Sequence, residues 1–279
     1  METRTRPAAV AGMFYPANAD ALRRDIDSYL TSADAVLAAG RDVANDPNGK
    51  TVPNECPAAI IVPHAGYVYS GATAALAYAT IAPFASTIKH VVLLGPAHYV
   101  GARAVVLPEV DALETPLGAV PIWTDAAHTV LSQNRVIESA DVHRQEHSLE
   151  VQLPFLQCVL EPGFDVLPLA VSWVSAGRVA EAVHSVWNAP DTLVVVSSDL
   201  SHYHSYDEAQ RLDAGTIAQV LDLDPTIDHD QACGATGIDA LLLLAAERHL
   251  VPTLLGACNS GDTAGDKRRV VGYSAFRFD

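Results

Sequence analysis

The sequence is poor in basic side chains: 17 Lys and Arg residues stand against 33 Asp and Glu residues, a net charge of −16 over 279 residues. Nucleic acids and anionic membrane surfaces are bound by clustered Lys and Arg, which this balance disfavours. No apolar run approaches the ~20 residues that a bilayer-spanning helix needs. One of the longest, Ala240–Ala246, is short and flanked by charge. We therefore predict no nucleic-acid partner and no membrane association.

Cysteine is scarce as well, with four widely scattered residues and no CxxC pair. A chain of this size can bury enough apolar surface to fold without disulfides, so we expect reduced thiols and a cytoplasmic location. The apolar stretch Ala8–Tyr15 follows Arg4 and Arg6, but it lacks leucine and runs into Pro16. We interpret it as mature protein rather than as a signal peptide.

Two familiar catalytic motifs are missing. The G-x-S-x-G elbow of serine hydrolases does not occur, although Ser197 and Ser198 follow an apolar run. No Walker loop and no G-x-G-x-x-G loop follows a predicted strand, so the sequence does not predict a phosphate-binding turn.

The sequence does contain short β-branched runs that alternate with amphipathic stretches, a pattern typical of α/β layers. Several runs are apolar throughout, as in strands covered on both faces. The predicted strands are Ala58–Val62, His90–Leu94, Ala104–Leu107, Val166–Val171, Leu193–Ser197, Thr253–Leu255 and Val270–Phe276. The predicted helices are Asp20–Leu30, Gly71–Ile81, Asp125–Ser132, Ser148–Leu160, Ala176–Trp187, Asp207–Leu221 and Gly237–Leu250. We predict an α/β fold in a single domain (residues 1–279), with a central mixed, largely parallel sheet flanked by helices and a surface loop at Thr31–Pro57.

Histidines and an aspartate follow three of these predicted strands. The first strand is followed by His64, the second by His98, and the strand ending at Ser197 by Asp199 and His202. Ligands of open α/β sheets bind beyond the carboxyl ends of the strands. A single histidine there is most often a surface residue, but three strands that repeat the arrangement indicate a shared site.

Cys233 lies in a turn of small residues immediately before a strongly apolar predicted helix. Unpaired amides and the macrodipole at a helix N-terminus lower the pKa of a thiol, which would make Cys233 a competent thiolate. A buried, inert cysteine is the equally weighted alternative.

The segment His143–His147 matches H-x-x-E-H, the inverted zinc-peptidase signature. In that motif the two histidines bind zinc and the glutamate is the general base. The match straddles a predicted helix start, and five-residue patterns arise by chance. A weaker expectation is that Glu146 and His147 line the same pocket as the other candidates.

Six collinear motifs resemble the Memo family, whose prokaryotic members are often labelled AmmeMemoRadiSam system protein B. They extend over nearly the whole chain, which makes the resemblance specific. The motifs are Val10–Pro16, Pro63–Tyr67, Leu94–His98, Glu146–Glu150, Ser197–His202 and Ala232–Gly234. The resemblance implies the α/β fold of the class III extradiol (LigB-type) dioxygenases.

The resemblance also implies roles for the candidate residues. His64, His98 and Cys233 match positions regarded as metal ligands, with iron or copper the metals usually considered. Asp199 and His202 match pocket positions, and His202 corresponds to the acid/base histidine of the dioxygenases. Those enzymes have a carboxylate where this chain has Cys233, which argues against ring cleavage because iron(II) oxygen chemistry uses two histidines and a carboxylate.

Three functions stay open at this stage. The first is an iron- or copper-dependent oxidoreductase, and the second is a non-catalytic pocket protein that binds a peptide or a partner protein. The third is a metallohydrolase with zinc. The resemblance further implies a radical-SAM enzyme and an AMMECR-type protein as partners, and an unidentified small molecule or peptide as the ligand.

Overall fold

A computed structural model describes residues 3–43, 55–189 and 191–279 of the chain. In chain order the strands are β1 (Thr5–Arg6), β2 (Ala59–Val62), β3 (His90–Pro96), β4 (Val105–Leu107), β5 (Ala112–Thr115), β6 (Gly118–Pro121), β7 (Val136–Glu138), β8 (Asp165–Val171), β9 (Thr192–Ser197), β10 (His202–His204), β11 (Pro252–Asn259) and β12 (Val270–Phe278). The main sheet has the order β10-β12-β2-β9-β3-β8-β4-β7, with β11 paired to β12.

The four central strands of this sheet, β2, β9, β3 and β8, are parallel to one another. Antiparallel pairing of β12 with β2 and of β4 with β8 bounds them on either side. The central strands are buried almost throughout, as their uninterrupted apolar sequences predict. The prediction of an α/β fold with a central mixed sheet is confirmed.

Eight α-helices flank the sheet over the part of the chain that the structure describes. They are α1 (Ala19–Val43), α2 (Tyr67–Ile81), α3 (Thr124–Leu131), α4 (Ala140–Arg144), α5 (Leu153–Val159), α6 (Ala176–His184), α7 (Tyr206–Leu221) and α8 (Ala235–Arg248). None of these described helices combines the length and the hydropathy that crossing a membrane would require.

The surface loop predicted at Thr31–Pro57 is wrong over its first part, because α1 continues without a break to Val43. Its apolar stripe continues too: Leu22 and Ile26 are followed at helical spacing by Ala33 and Leu37, and all four are buried. The composition from Arg41 to Pro57 suggested a loop, but the apolar stripe continues beyond Leu30, the predicted end of the helix. Residues 44–54 of the predicted loop lie outside the described residues.

Two further differences concern short elements. A small sheet of β1, β5 and β6 was not predicted, because strands of two to four residues carry too little pattern. The helix predicted from Ser148 begins at Leu153, after a 3₁₀ turn at Glu150–Gln152. The amides of His147 and Ser148 donate to the Glu146 carboxylate and not to helical carbonyls, so the segment before that turn forms a loop.

The register of the central strands brings their carboxyl ends to one edge. Val62 at the end of β2 pairs with Ser197 at the end of β9, and Pro96 at the end of β3 pairs with Val171 at the end of β8. His64, His98 and Asp199 each follow one of these ends by two residues, so the topology directs all three to the same edge.

Candidate metal centre

His64 follows β2 and is 2% exposed. Its Nδ1 lies 2.9 Å from the Ser197 hydroxyl, which itself donates to the Ser148 carbonyl at 2.6 Å. Since the single hydroxyl proton is used there, Ser197 accepts a hydrogen bond from Nδ1–H of His64. This arrangement selects the tautomer of His64 in which Nε2 carries a free lone pair.

His98, which follows β3, is held in the same way by Glu146. Its Nδ1 lies 2.9 Å from Glu146 Oε1, and its backbone N–H donates to Oε2 at 2.6 Å. Because the carboxylate can only accept, Nδ1 is the protonated nitrogen and Nε2 keeps its lone pair. Glu146 therefore orients a histidine, which is the role that we expect of a carboxylate beside a metal ligand.

His147 completes a cluster with these two histidines. One ring nitrogen from each of His64, His98 and His147 lies within 4.8 Å of the others, close enough to hold a metal ion. The ring centroids of His98 and His147 are 4.6 Å apart and nearly parallel, and the His64 ring meets both edge-on. The buried Nδ1 of His147 has no hydrogen-bond partner among the described residues. A donor set of three imidazoles with an orphaned nitrogen fits a transition metal.

The electrostatics favour neutral imidazoles at the cluster. Burial, reinforced by the neighbouring His98, lowers the pKa of His64 to about 3, and burial together with His64 lowers the pKa of His147 to about 4. Burial alone would raise the pKa of Glu146, but the hydrogen bond from the His98 ring and those from the backbone N–H groups of Ser148 and His98 outweigh it and hold that pKa at about 2. Burial thus keeps His64 and His147 neutral and able to bind a metal, beside the fixed carboxylate of Glu146.

Cys233 lies against His64, with its Sγ 3.3 Å from His64 Nε2. The loop that carries it is bound to the end of β9, since Gly234 N–H donates to Ser198 Oγ at 2.9 Å. A Cβ at Gly234 would meet the Ser198 Cβ at 2.6 Å, so only glycine permits this approach. Burial, with the charge of Asp199, raises the pKa of the Cys233 thiol to about 12. The predicted lowering by the helix terminus is therefore wrong, because desolvation dominates.

Asp199 is fixed to the main chain of the site. Its Oδ1 accepts from the backbone N–H of His64 at 2.7 Å, while the His64 ring is oriented by Ser197. Burial raises the pKa of Asp199 against the opposing influence of that N–H and of His202. His202 is the first residue of β10 and is half-buried, and its charge contributes to the low pKa of His64.

The inverted zinc-peptidase interpretation of His143–His147 is wrong. His143 is buried on α4, and its Nε2 hydrogen-bonds to the Val106 carbonyl at 2.8 Å. Glu146 has its oxygens occupied by His98 and by the amides of His147 and Ser148. His143 therefore binds the main chain of β4, and only His147 belongs to the cluster.

Sequence reasoning missed the residues that set the His64 tautomer. Ser197 was considered only as a hydrolase nucleophile, and Gln152 was not considered. Gln152 Nε2 donates to Ser197 Oγ at 2.8 Å and to the Pro63 carbonyl at 2.9 Å. The position of Ser197 at the carboxyl end of a predicted strand was the available signal.

Replacing Glu146 by Gln is expected to weaken Zn²⁺ binding by roughly 10–100-fold, the usual cost of losing an outer partner of a metal ligand. All four of the close contacts to this carboxylate come from N–H donors, so the amide NH₂ of glutamine would face at least one of them. A competition titration with a chromophoric chelator measures the change. The matched control is Glu138→Gln, an exposed residue of β7, for which we expect no change.

A mixed α/β sheet whose parallel strands place His64 and His98 at one edge, beside His147, defines a candidate metalloprotein. The profile of the Memo-like protein family matches residues 6–277. The chain is 35% identical over 290 residues to a MEMO1 family protein of Ignicoccus hospitalis, with 98% of each chain covered. It is 35% identical over 289 residues to one of Aquifex aeolicus, with 99% of each covered. It is 32% identical over 285 residues to one of Nitrosopumilus maritimus, covering 98% of this chain and 99% of the relative. The chain belongs to the Memo-like family.

Proposed function

We propose that this protein is a metal-dependent redox protein in which His64, His98 and Cys233 hold iron or copper. The observation that carries the proposal is the fixed orientation of two imidazoles. Ser197 and Glu146 accept hydrogen bonds from the Nδ1–H groups of His64 and His98, which leaves both Nε2 lone pairs for an ion. Outer partners of this kind accompany nearly all metal-binding histidines.

Cys233 is the third ligand that we propose beside His64 and His98. Metal–nitrogen bonds of 2.0–2.1 Å and metal–sulfur bonds of 2.3 Å at a tetrahedral angle place the two donor atoms roughly 3.5 Å apart. The 3.3 Å between Cys233 Sγ and His64 Nε2 is close to that separation. The thiol must lose its proton to bind, so metal uptake would release a proton. A thiolate favours soft ions such as copper(I) over hard ones.

The residues that follow β9 are the ones that we propose for proton transfer. His202 is half-buried, with its ring partly open to solvent, which suits a group that exchanges a proton with a bound molecule. Asp199 fixes the backbone of His64, and its charge opposes the lowering of the His147 pKa by burial. A bound iron or copper ion would supply one-electron chemistry at the cluster.

A zinc hydrolase is the second candidate, and the donor set itself favours it. Three imidazoles are the protein ligands of one established class of catalytic zinc site, which keeps a fourth position for water. The group His64, His98 and His147 matches that set. The two candidates differ in whether Cys233 or His147 is the third ligand.

Replacing Cys233 by Ser separates the two candidates. If the thiolate is a ligand, the preference for copper(I) over iron(II) in anaerobic competition titrations should fall sharply, because the hydroxyl is a poor ligand for a soft ion. The matched change at Cys258, a cysteine hydrogen-bonded to Thr73, should leave that preference unaltered. An unchanged preference in Cys233→Ser would remove Cys233 from the ligand set and favour the three-histidine site.

Metal analysis of protein purified anaerobically from its own host tests the metal itself. Iron or copper together with oxygen consumption would support the redox proposal, whereas zinc with hydrolysis of an ester or peptide library would support the second candidate. Ligand binding that survives removal of the metal would instead indicate a pocket that captures a peptide or partner protein. We also propose a cytoplasmic location and, from the family resemblance, radical-SAM and AMMECR-type partners.

A further inference from the structure

The N-terminal segment 6–15, called the arm here, packs directly against the histidine cluster. The Phe14 ring lies 4.6 Å from the His147 ring, centroid to centroid. The arm is joined to the start of α2 as well, since the Phe14 carbonyl accepts from the Tyr67 N–H at 2.8 Å. The arm therefore forms one side of the space around His147.

His147 differs from its two partners in how its ring is held. Ser197 fixes the ring of His64 and Glu146 fixes that of His98, but Nδ1 of His147 has no hydrogen-bond partner in the described part of the chain. Glu146 Oε1 lies 3.6 Å from this nitrogen, beyond hydrogen-bond distance. The nearest rings to His147 are those of His98 and Phe14, each 4.6 Å away, with the His64 and Tyr99 rings at 5.5 and 5.8 Å. Packing takes over the orienting role that hydrogen bonds have at the other two histidines.

Glu150 fastens the arm. Its carboxylate accepts from Arg6 Nη1 at 2.7 Å, from the N–H groups of Ala9 and Val10 at 2.7 and 3.0 Å, and from Tyr15 OH at 2.5 Å. Both ends of the arm are thus held by one buried carboxylate, only three residues beyond His147.

Arg6 extends this connection to the loop that carries the cluster. Its Nε and Nη2 donate to the carbonyls of His143 and Glu146, both at 2.6 Å. Arg6 and Glu150 are almost fully buried, so water does not compete for these bonds. The arm and the loop with Glu146 and His147 form one hydrogen-bonded unit.

We propose that the arm is a wall of the metal site, in which Phe14 is a positioning residue for His147 and Glu150 is the residue that holds the arm in place. The inference rests on the three-histidine form of the proposed metal site, since it assigns His147 a part in holding the ion. In that part, the Phe14 ring limits rotation of the imidazole, which lowers the cost of bringing its lone pair to the metal.

The test is a double-mutant cycle with Co²⁺ alone as the probe, titrated anaerobically into the full-length protein. Phe14→Ala is expected to weaken Co²⁺ binding by roughly 10-fold, the lower end of the effect of outer partners. In the background of His147→Ala the same change should have no effect, because the ring that Phe14 orients is gone. Phe14→Leu, which keeps most of the apolar bulk, should restore affinity to within a few-fold of the unaltered protein.

Met13→Ala is the matched control, because Met13 is the neighbouring arm residue and is 72% exposed. Circular dichroism and thermal unfolding establish that each variant is folded. A Phe14→Ala effect of equal size with and without His147, no effect at all, or no rescue by leucine would overturn the inference while leaving the metal site standing. Failure of the unaltered protein to bind Co²⁺ would overturn the proposed function and, with it, this inference.

Discussion

Replacing His64 by Ala is expected to abolish measurable binding of Zn²⁺, Co²⁺ and copper(I) alike, a loss well beyond the roughly 10–100-fold that outer partners contribute. His64 belongs to both candidate ligand sets. Its ring nitrogen is grouped with those of His98 and His147, and its Nε2 lies 3.3 Å from Cys233 Sγ. No other side chain of the cluster has both relationships within the described residues. Titration monitored with a competing chelator measures the loss.

Two comparisons make the His64 result specific. His128→Ala removes an exposed histidine of α3 and should leave metal binding unchanged. Ser197→Ala keeps the imidazole of His64 but removes the oxygen that selects its tautomer, so we expect a partial loss. If His64→Ala still bound all three ions with unaltered affinity, the histidine cluster would not be the metal site.

The positions of the principal site residues could be predicted because they depend on topology. Apolar runs without alternation indicated buried parallel strands, and the residues that follow such strands meet at one edge. Each of His64, His98 and Asp199 was predicted as a candidate because it follows the end of one predicted strand. The rule needs only an approximate strand end: the predicted ends at Val62 and Ser197 match the structure, and the end predicted at Leu94 is two residues short of Pro96.

The partners of these residues could not be predicted, because they arrive from distant parts of the chain. Ser197 lies 133 residues from His64, and Glu146 lies 48 residues from His98. Their pairing depends on strand register and on a loop conformation, and local sequence pattern encodes neither. The contact of Phe14 with His147 is also a long-range one. It depends on the hydrogen bond that joins Tyr15 of the arm to Glu150, which lies 135 residues further along the chain.

Local patterns were misleading where tertiary contacts compete with them. The H-x-x-E-H match fails because His143 Nε2 hydrogen-bonds to the Val106 carbonyl and is not part of the histidine cluster. Of the two alternatives for Cys233, the lowered thiol pKa is wrong, because burial outweighs the favourable field of a helix N-terminus. Both errors come from treating a local arrangement as if it were exposed to solvent.

Replacing Glu150 by Ala is expected to lower the free energy of unfolding by about 3–5 kcal/mol, the range for breaking a buried ion pair from one side. The Arg6 and Glu150 side chains are 7% and 0% exposed, so the guanidinium would be left buried without its counter-charge. The hydroxyl of Tyr15 and the amides of Ala9 and Val10 would lose their acceptor as well. Urea unfolding followed by circular dichroism measures the change.

The matched control is Glu161→Ala, which breaks an exposed pair with Lys89 at 3.9 Å and should cost less than about 1 kcal/mol. Adding Arg6→Met to Glu150→Ala should recover part of the lost stability, because it removes the uncompensated charge while the orphaned donors remain. A Glu150→Ala variant as stable as Glu161→Ala would mean that the buried pair is not what fastens the arm. Glu150→Ala should also weaken Co²⁺ binding in the same titration. An arm that is no longer held by Glu150 does not keep Phe14 against His147.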